Sequence, residues 1–254
     1  MKRFYKSTFC LAFLLPVIVG VTPEQPDSSV TTIGIYGGSG SYALISRGCE
    51  DISKDEIPYS EFSCSVDHRF KKSPVRLGIN YHFFTCEEPI EVYNSETYFT
   101  ETHIMTKRLS YIKPYISNEA KDMALGFGGK FFIGRKNEVN FGDYFQPQDF
   151  PYVGFLRLGR ADQVNFSAHL NDQTLFAKGG LMTARMNFCF PQNKGSLYIG
   201  LDGGPPYDGN GFVCGLDLNL YQNIRIETFG RLGSSEGVSE NAIGFGLKYQ
   251  LVGH

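Results

Sequence analysis

From Gly211 to Gly230 the chain reads GFVCGLDLNLYQNIRIETFG, and alternate positions fall into two sets. Phe212, Cys214, Leu216, Leu218, Leu220, Ile224 and Ile226 form one set. Val213, Gly215, Asp217, Asn219, Arg225 and Glu227 form the other. A period of two is that of a β-strand with one face apolar and the other polar. The same alternation recurs along the chain. Val75, Leu77, Ile79, Tyr81 and Phe83 stand against Arg76, Gly78, Asn80 and His82. Tyr152, Leu156 and Leu158 oppose Arg157, while Val164, Phe166, Ala168 and Leu170 oppose Asn165, Ser167, His169 and Asn171. Ile243, Phe245, Leu247, Tyr249 and Leu251 alternate with Gly244, Gly246, Lys248 and Gln250.

Alternation and turn residues predict strands at about 30–45, 59–70, 75–86, 109–117, 122–134, 151–160, 163–171, 176–190, 196–203, 211–221, 223–233 and 239–252. No amphipathic helix interrupts this series of about twelve. The connections alternate in length. KKSP, SNEAK, ADQ, PQNKG and YQN are short. SRGCEDISKDEIP, CEEPIEVYNSETYFTETHIMTKR, RKNEVNFGDYFQPQD, GGPPYDGN and GSSEGVSE are longer, with NDQTL a short exception. A meander with tight turns at one end and long loops at the other is the plan of a membrane-spanning barrel. An even strand number also brings both termini to one side.

Alternation alone suits either a soluble barrel with an apolar interior or a membrane barrel with an apolar exterior. Size separates them, because about eight strands can fill a barrel with side chains and about twelve enclose a wider lumen. A polar lumen inside an apolar exterior is the easier arrangement, and closure satisfies the strand edges that hydrocarbon cannot. Leu216, Leu218 and Ile226 are therefore expected to face lipid, and Asp217, Arg225 and Glu227 the lumen. The apolar faces carry charge only near strand ends, at His68 and Lys178.

The last strand, NAIGFGLKYQLV, resembles the C-terminal assembly signal of Gram-negative outer-membrane β-barrel proteins. Gly244, Leu247 and Tyr249 match its glycine–apolar–aromatic spacing, and Gly246, Tyr249 and Leu251 match one step later. The usual terminal aromatic is replaced by the overhang QLVGH. PYVGFLRLGRADQVNFSAHLND and GRLGSSEGVSENAIGFGLKY look like hairpins of uncharacterised members of that class. The resemblance implies an up-and-down antiparallel barrel in the outer membrane, with lipid and the barrel-assembly machinery as partners. It implies a setting and not an activity.

The N-terminus agrees with export. MKRFYKS is basic, and TFCLAFLLPVIVGV is an apolar run of signal-peptide length, too short to span a bilayer. The expected division is a signal at 1–20, cleaved after Gly20, and a barrel domain at 21–254. Cys10 lies within the apolar run, which lacks the approach of a lipidated cysteine. The mature chain keeps Cys49, Cys64, Cys86, Cys189 and Cys214, an odd number without a CxxC pair. Cys49 and Cys86 are candidates for a disulfide pinning a loop, and Cys64 and Cys214 for small apolar residues on the lipid face. Composition adds 22 Phe, 15 Tyr, 29 Gly and no Trp, with a net charge of −2, so no bulk attraction to nucleic acid is expected.

The predicted lumen carries both signs. Its acids are Glu61, Asp67, Asp202, Asp217 and Glu227. Its bases are Arg69, Arg76, Lys130, Arg157, Arg185, Arg225, Arg231 and Lys248, joined by the polar Asn80 and His169. Two readings follow: an internal salt-bridge network that braces the barrel, or a narrow aqueous path whose basic excess favours a small anionic solute. If KKSP is a tight turn, Arg69 stands opposite Arg76 and puts like charge at one mouth. The same register sets Ser63 opposite His82, with Glu61 diagonal, a candidate nucleophile–base–acid set. A phospholipase of the outer-membrane type would need its His and Ser on the lipid face, where His68 has no matching Ser. GIYGGSGSYA, Gly34 to Ala43, has nucleotide-loop-like glycines but no following helix, so small residues easing strand curvature are expected there. The segment 87–108, with Glu101 and His103, reads as a surface loop or an inward plug.

These expectations add up to an outer-membrane barrel acting as a small pore, a substrate channel or a structural barrel with binding loops. The alternatives are an outer-membrane lipid or lipopolysaccharide hydrolase and a secreted soluble β-protein. No metal or cofactor is implied.

Overall fold

The computed structural model describes residues 27–44, 56–94, 98–137, 152–170, 182–203, 210–221, 223–235 and 238–253. The expected signal segment and its cleavage point, Cys49 of the candidate disulfide, Asn171 and Lys178 lie outside the described residues.

Thirteen strand segments are present among the described residues: β1 (Ser29–Leu44), β2 (Glu56–Arg69), β3 (Val75–Asn94), β4 (Phe99–Glu119), β5 (Met123–Gly129), β6 (Phe131–Asn137), β7 (Tyr152–Leu158), β8 (Asn165–Leu170), β9 (Met182–Cys189), β10 (Gly195–Gly203), β11 (Asn210–Tyr221), β12 (Ile224–Ser235) and β13 (Val238–Gly253). Apart from β5 and β6, each pairs antiparallel with its sequence neighbours around the ring, and β1 closes on β13 from Ser29↔Gly253 to Leu44↔Val238. β5 and β6 both pair with β4, through Tyr115↔Gly128 and Ser110↔Gly134. They are consecutive segments of one strand interrupted at Lys130, so the barrel has twelve strands. Closure of β1 on β13 removes the edges that an open sheet would carry, and among the described residues β6 pairs on one side only, with β4.

The turns at one end are tight. The β2–β3 turn places Lys72 at φ 54, the β7–β8 turn places Gly159 at φ 98, and a short 3-10 turn at Pro191–Asn193 joins β9 to β10. The first residue of β1, Ser29, and the last of β13, Gly253, lie at this end. In outer-membrane barrels the short turns are periplasmic.

Two expected long connections are largely strand. The segment 87–108 continues β3 and β4 as one hairpin, in register from Cys86↔Lys107 to Asn94↔Phe99. The β2 partner stops at Tyr59↔Cys86, so the hairpin runs on beyond its β2 neighbour. Likewise β12 and β13 stay paired to Ser235↔Val238, inside the stretch read as the loop GSSEGVSE. In both places polar residues interrupt the apolar face, which hides a strand from a pattern search although backbone pairing continues.

The apolar set of each strand faces outward. Ile243 is 68% exposed, Phe245 52% and Leu201 62%, whereas Asp202, His82 and Ser63 are buried to 2% or less. Leu216, Leu218 and Ile226 share the outward face with Phe212, and Asp217 is buried on the inward one. This rules out a soluble barrel with an apolar interior. Cys64 and Cys214 stand half-buried on the outward face. His68 is also outward, close to the short turns, where its Nδ1 lies 2.9 Å from Thr31 Oγ1 and its ring meets Phe70 edge-on.

Inward glycines, Gly40 of β1 among them, have a more specific role than easing curvature. Inward aromatic rings lie across glycines that face them on the adjacent strand: Tyr36↔Gly246, Tyr59↔Gly40, Tyr115↔Gly78, Tyr198↔Gly215 and Phe229↔Gly244. A Cβ at Gly40 would sit 2.6 Å from the Tyr59 ring, and one at Gly246 or Gly78 would overlap the ring of Tyr36 or Tyr115. The absent side chain is what lets the ring lie flat, an aromatic covering of glycine that pins register.

Candidate functional site

The lumen is layered along its axis. At the short-turn end lies a chamber of about 540 Å³, walled on nearly every side of the ring. Five basic side chains line it, Arg69, Arg76, Arg185, Arg225 and Lys248, against the acids Asp67, Glu119 and Glu227. Asn80 and His169 also line it, as do the apolar Val153 and Phe155.

Charge in the chamber is mostly compensated. Arg76 sits 2.7 Å from Asp67 and 3.2 Å from Glu119, and Arg69 is 3.8 Å from Glu119. The like charge expected where Arg69 opposes Arg76 is therefore neutralised. The sequence reading missed Glu119 because it ends a strand beside the short turn, where it passes for a solvated turn residue. Across the chamber, Lys248 bridges Glu227 at 2.8 Å and Asp217 at 3.0 Å, and Arg225 is 3.8 Å from Asp217.

Arg185 differs. Its guanidinium lies 4.7 Å over the Tyr198 ring, and no acid pairs with it among the described residues. Its Nε is buried without a hydrogen-bond partner, as are Asn80 Oδ1 and Ser117 Oγ across the chamber. Beside it, Ser167 stands directly opposite on β8, and His169 Nε2 lies 3.1 Å from Ser167 Oγ. The His169 ring packs on Phe155 at 5.1 Å.

Above the chamber the lumen is packed. Ser63, His82 and Lys113 are wholly buried at mid-height. His82 stacks on Tyr111 with centroids 4.6 Å apart, and Lys130 Nζ lies 4.5 Å from the same ring. Glu61 is 3.7 Å from His82 Nε2. Higher still, Ile57, Tyr59, Phe84 and Cys86 form an apolar cluster. On the other wall Arg231 grips Asp202 through two nitrogens, at 2.6 and 3.3 Å, in a pair almost without exposed surface. Fully buried groups cannot border an open water path, so the lumen is closed to solvent around these residues.

The expected residues thus divide. Asp67, Arg69, Arg76, Asn80, His169, Arg185, Arg225, Glu227 and Lys248 line the chamber. Asp217 lies just behind its wall as the partner of Lys248, and Arg231, Asp202 and Lys130 belong to the packed layer. Arg157 does neither. It donates to the carbonyls of Ala120, Lys121 and Gly159 and so braces two short turns.

Ser63 does stand opposite His82, with Glu61 beside it. Yet Ser63 Oγ makes no hydrogen bond among the described residues, and both residues are inaccessible. A nucleophile must be bonded to its base and reachable by substrate, and this arrangement is neither. Of the assembly-signal residues, Leu247 and Tyr249 face outward on β13, and Gly244 faces inward against Phe229.

A closed antiparallel barrel with an apolar exterior and a polar lumen defines an outer-membrane β-barrel protein, with membrane lipid as its surroundings. No family model matches the sequence, and no curated protein does. Solved structures do resemble it. An outer-membrane channel from Pseudomonas putida F1 aligns with a TM-score of 0.50 at 10% identity, covering 91% of this chain and 97% of that one. The toluene transporter TbuX of Ralstonia pickettii aligns at 0.42 and 8% identity, covering 91% and 92%. Outer membrane phospholipase A from Escherichia coli aligns at 0.40 and 11% identity, covering 93% and 96%. At such identity the likeness is one of fold.

Proposed function

We propose that the protein is a narrow channel for small solutes, with the chamber as its binding compartment and the packed layer as its constriction. The observation that supports this most is the chamber itself. A structural barrel would gain nothing from a hydrated compartment of about 540 Å³ with an uncompensated guanidinium. The excess of basic over acidic side chains on its wall favours anions over cations. On the same reading, 1–20 is the cleaved export signal, and β13 presents the strand that the barrel-assembly machinery engages.

Planar-bilayer recording of the refolded protein tests this. The expected result is small, discrete steps with a reversal potential in a salt gradient that reports anion preference. Arg225→Ala lowers that preference, because Arg225 lines the chamber. Arg157→Ala leaves it unchanged, because Arg157 bonds turn carbonyls. Folded, inserted protein that shows no steps overturns the channel reading.

A further inference from the structure

Within the chamber, we infer that Arg185 forms the anchor of a binding subsite for a small organic carboxylate with an apolar body. This inference rests on the solute-channel reading and assigns the chemistry of the solute.

The inference starts from the contrast among the five bases on the wall. Arg76, Lys248, Arg69 and Arg225 each have a carboxylate within 3.8 Å, whereas Arg185 has none among the described residues. A guanidinium that is partly withdrawn from water and lacks a counter-ion is costly, and a bound anion removes that cost. Its ring contact with Tyr198 holds the plane of the fork without using its N–H donors. A planar fork with free donors matches a carboxylate better than it matches a spherical anion such as chloride.

The neighbourhood completes the site. His169 lies on the adjacent strand toward the chamber, held by Ser167 and Phe155. Asn187 Nδ2 donates to Ser167 Oγ at 3.1 Å, so the polar side of the subsite is fixed by packing. Next to it, Val153 and Phe155 give an apolar stretch of the same wall, with Gly126 paired to Phe155 on the neighbouring strand. Opposite lie Arg76, Asp67 and Glu119, an already satisfied ion cluster that offers no second anion site. A ligand with one anionic end and one apolar flank uses both features. A bare inorganic ion uses one.

Calorimetric titration of the refolded, full-length barrel in detergent tests the subsite without requiring conduction. The probes are benzoate, benzyl alcohol, acetate and inorganic phosphate. Benzoate is expected to bind more tightly than the other three, and Arg185→Gln to weaken it about tenfold or more, the scale of a lost charge-assisted hydrogen-bond pair. Arg185→Lys retains part of the affinity. Phe155→Ala erases the preference of benzoate over acetate. Heat-modifiable migration on gels confirms that each variant is folded. Equal benzoate affinity in wild type and Arg185→Gln overturns the inference. So does benzyl alcohol binding as well as benzoate, or phosphate binding as tightly. A barrel that binds benzoate through Arg185 but shows no bilayer current retains the subsite while the channel reading fails, so the two are separated.

Discussion

Arg185 and Arg231 both project into the lumen, one in the chamber and one in the layer above, and the protein treats their charges oppositely. Arg231 is locked to Asp202 in a two-nitrogen contact with almost no exposed surface. Arg185 stacks on a tyrosine and borders open space. The difference teaches where each charge can be used. A charge sealed in the packed layer must be neutralised by protein or it destabilises the fold. A charge bordering a hydrated chamber can be left for a solute, because water covers it when nothing is bound.

The sharpest way to break this contrast is Asp202→Ala. It leaves Arg231 buried without its carboxylate and is expected to cost about 3–5 kcal/mol. Denaturant unfolding in detergent or bilayers measures it. Arg185→Gln, by contrast, should leave the unfolding midpoint close to wild type. If the two variants destabilise equally, the chamber is not hydrated.

The outer face offers the next largest effect. Phe245→Arg, on the exposed apolar face of β13, is expected to cost about 2–4 kcal/mol if it lies near the bilayer midplane. The loss should appear in lipid bilayers and shrink in detergent, where the charge can reach water. Inside the wall, Gly246→Val should cost about 1–3 kcal/mol by driving a side chain into the Tyr36 ring. The double variant with Tyr36→Ala should recover part of that loss, and simple additivity would show that the ring and the glycine are not coupled.

The smallest effect lies in the β7–β8 turn. Arg160 bonds Asp162 at 2.7 and 2.9 Å and holds its carboxyl below the ordinary value of 3.8. Stability from such a depressed carboxyl is present above the unfolded pKa and is lost as the pH falls through the folded one. Asp162 is fully exposed, so solvent screens the pair. Asp162→Asn should therefore leave the unfolding midpoint unchanged at neutral and at acid pH.

Much of this architecture was legible in the chain. Alternation at Phe212–Leu220 and Ile243–Leu251 gave both faces of the wall, because a barrel strand meets lipid on one side and the lumen on the other. The KKSP turn gave the register that sets Ser63 against His82 and Arg69 against Arg76. The long β3–β4 hairpin was not legible, since Glu87, Glu88 and Pro89 on β3 and Thr100, Glu101 and Thr102 on β4 break the apolar pattern while the backbone still pairs. Nor was the role of inward glycines such as Gly40 and Gly246, which depends on which ring faces each one across the strand pair.

What the sequence determined by itself was the class of wall: period-two strands, tight turns at one end and an inward set of charged residues. Those features follow from local geometry and from the need to face hydrocarbon. What only the tertiary structure decided was the fate of each inward charge. Arg157, Arg185, Arg225 and Arg231 all belong to the inward set of their strands. One braces turns, one stacks on Tyr198, one borders the chamber near Asp217, and one is sealed against Asp202. Partners come from strands distant in sequence, and their distances depend on how the ring closes, which no single strand encodes.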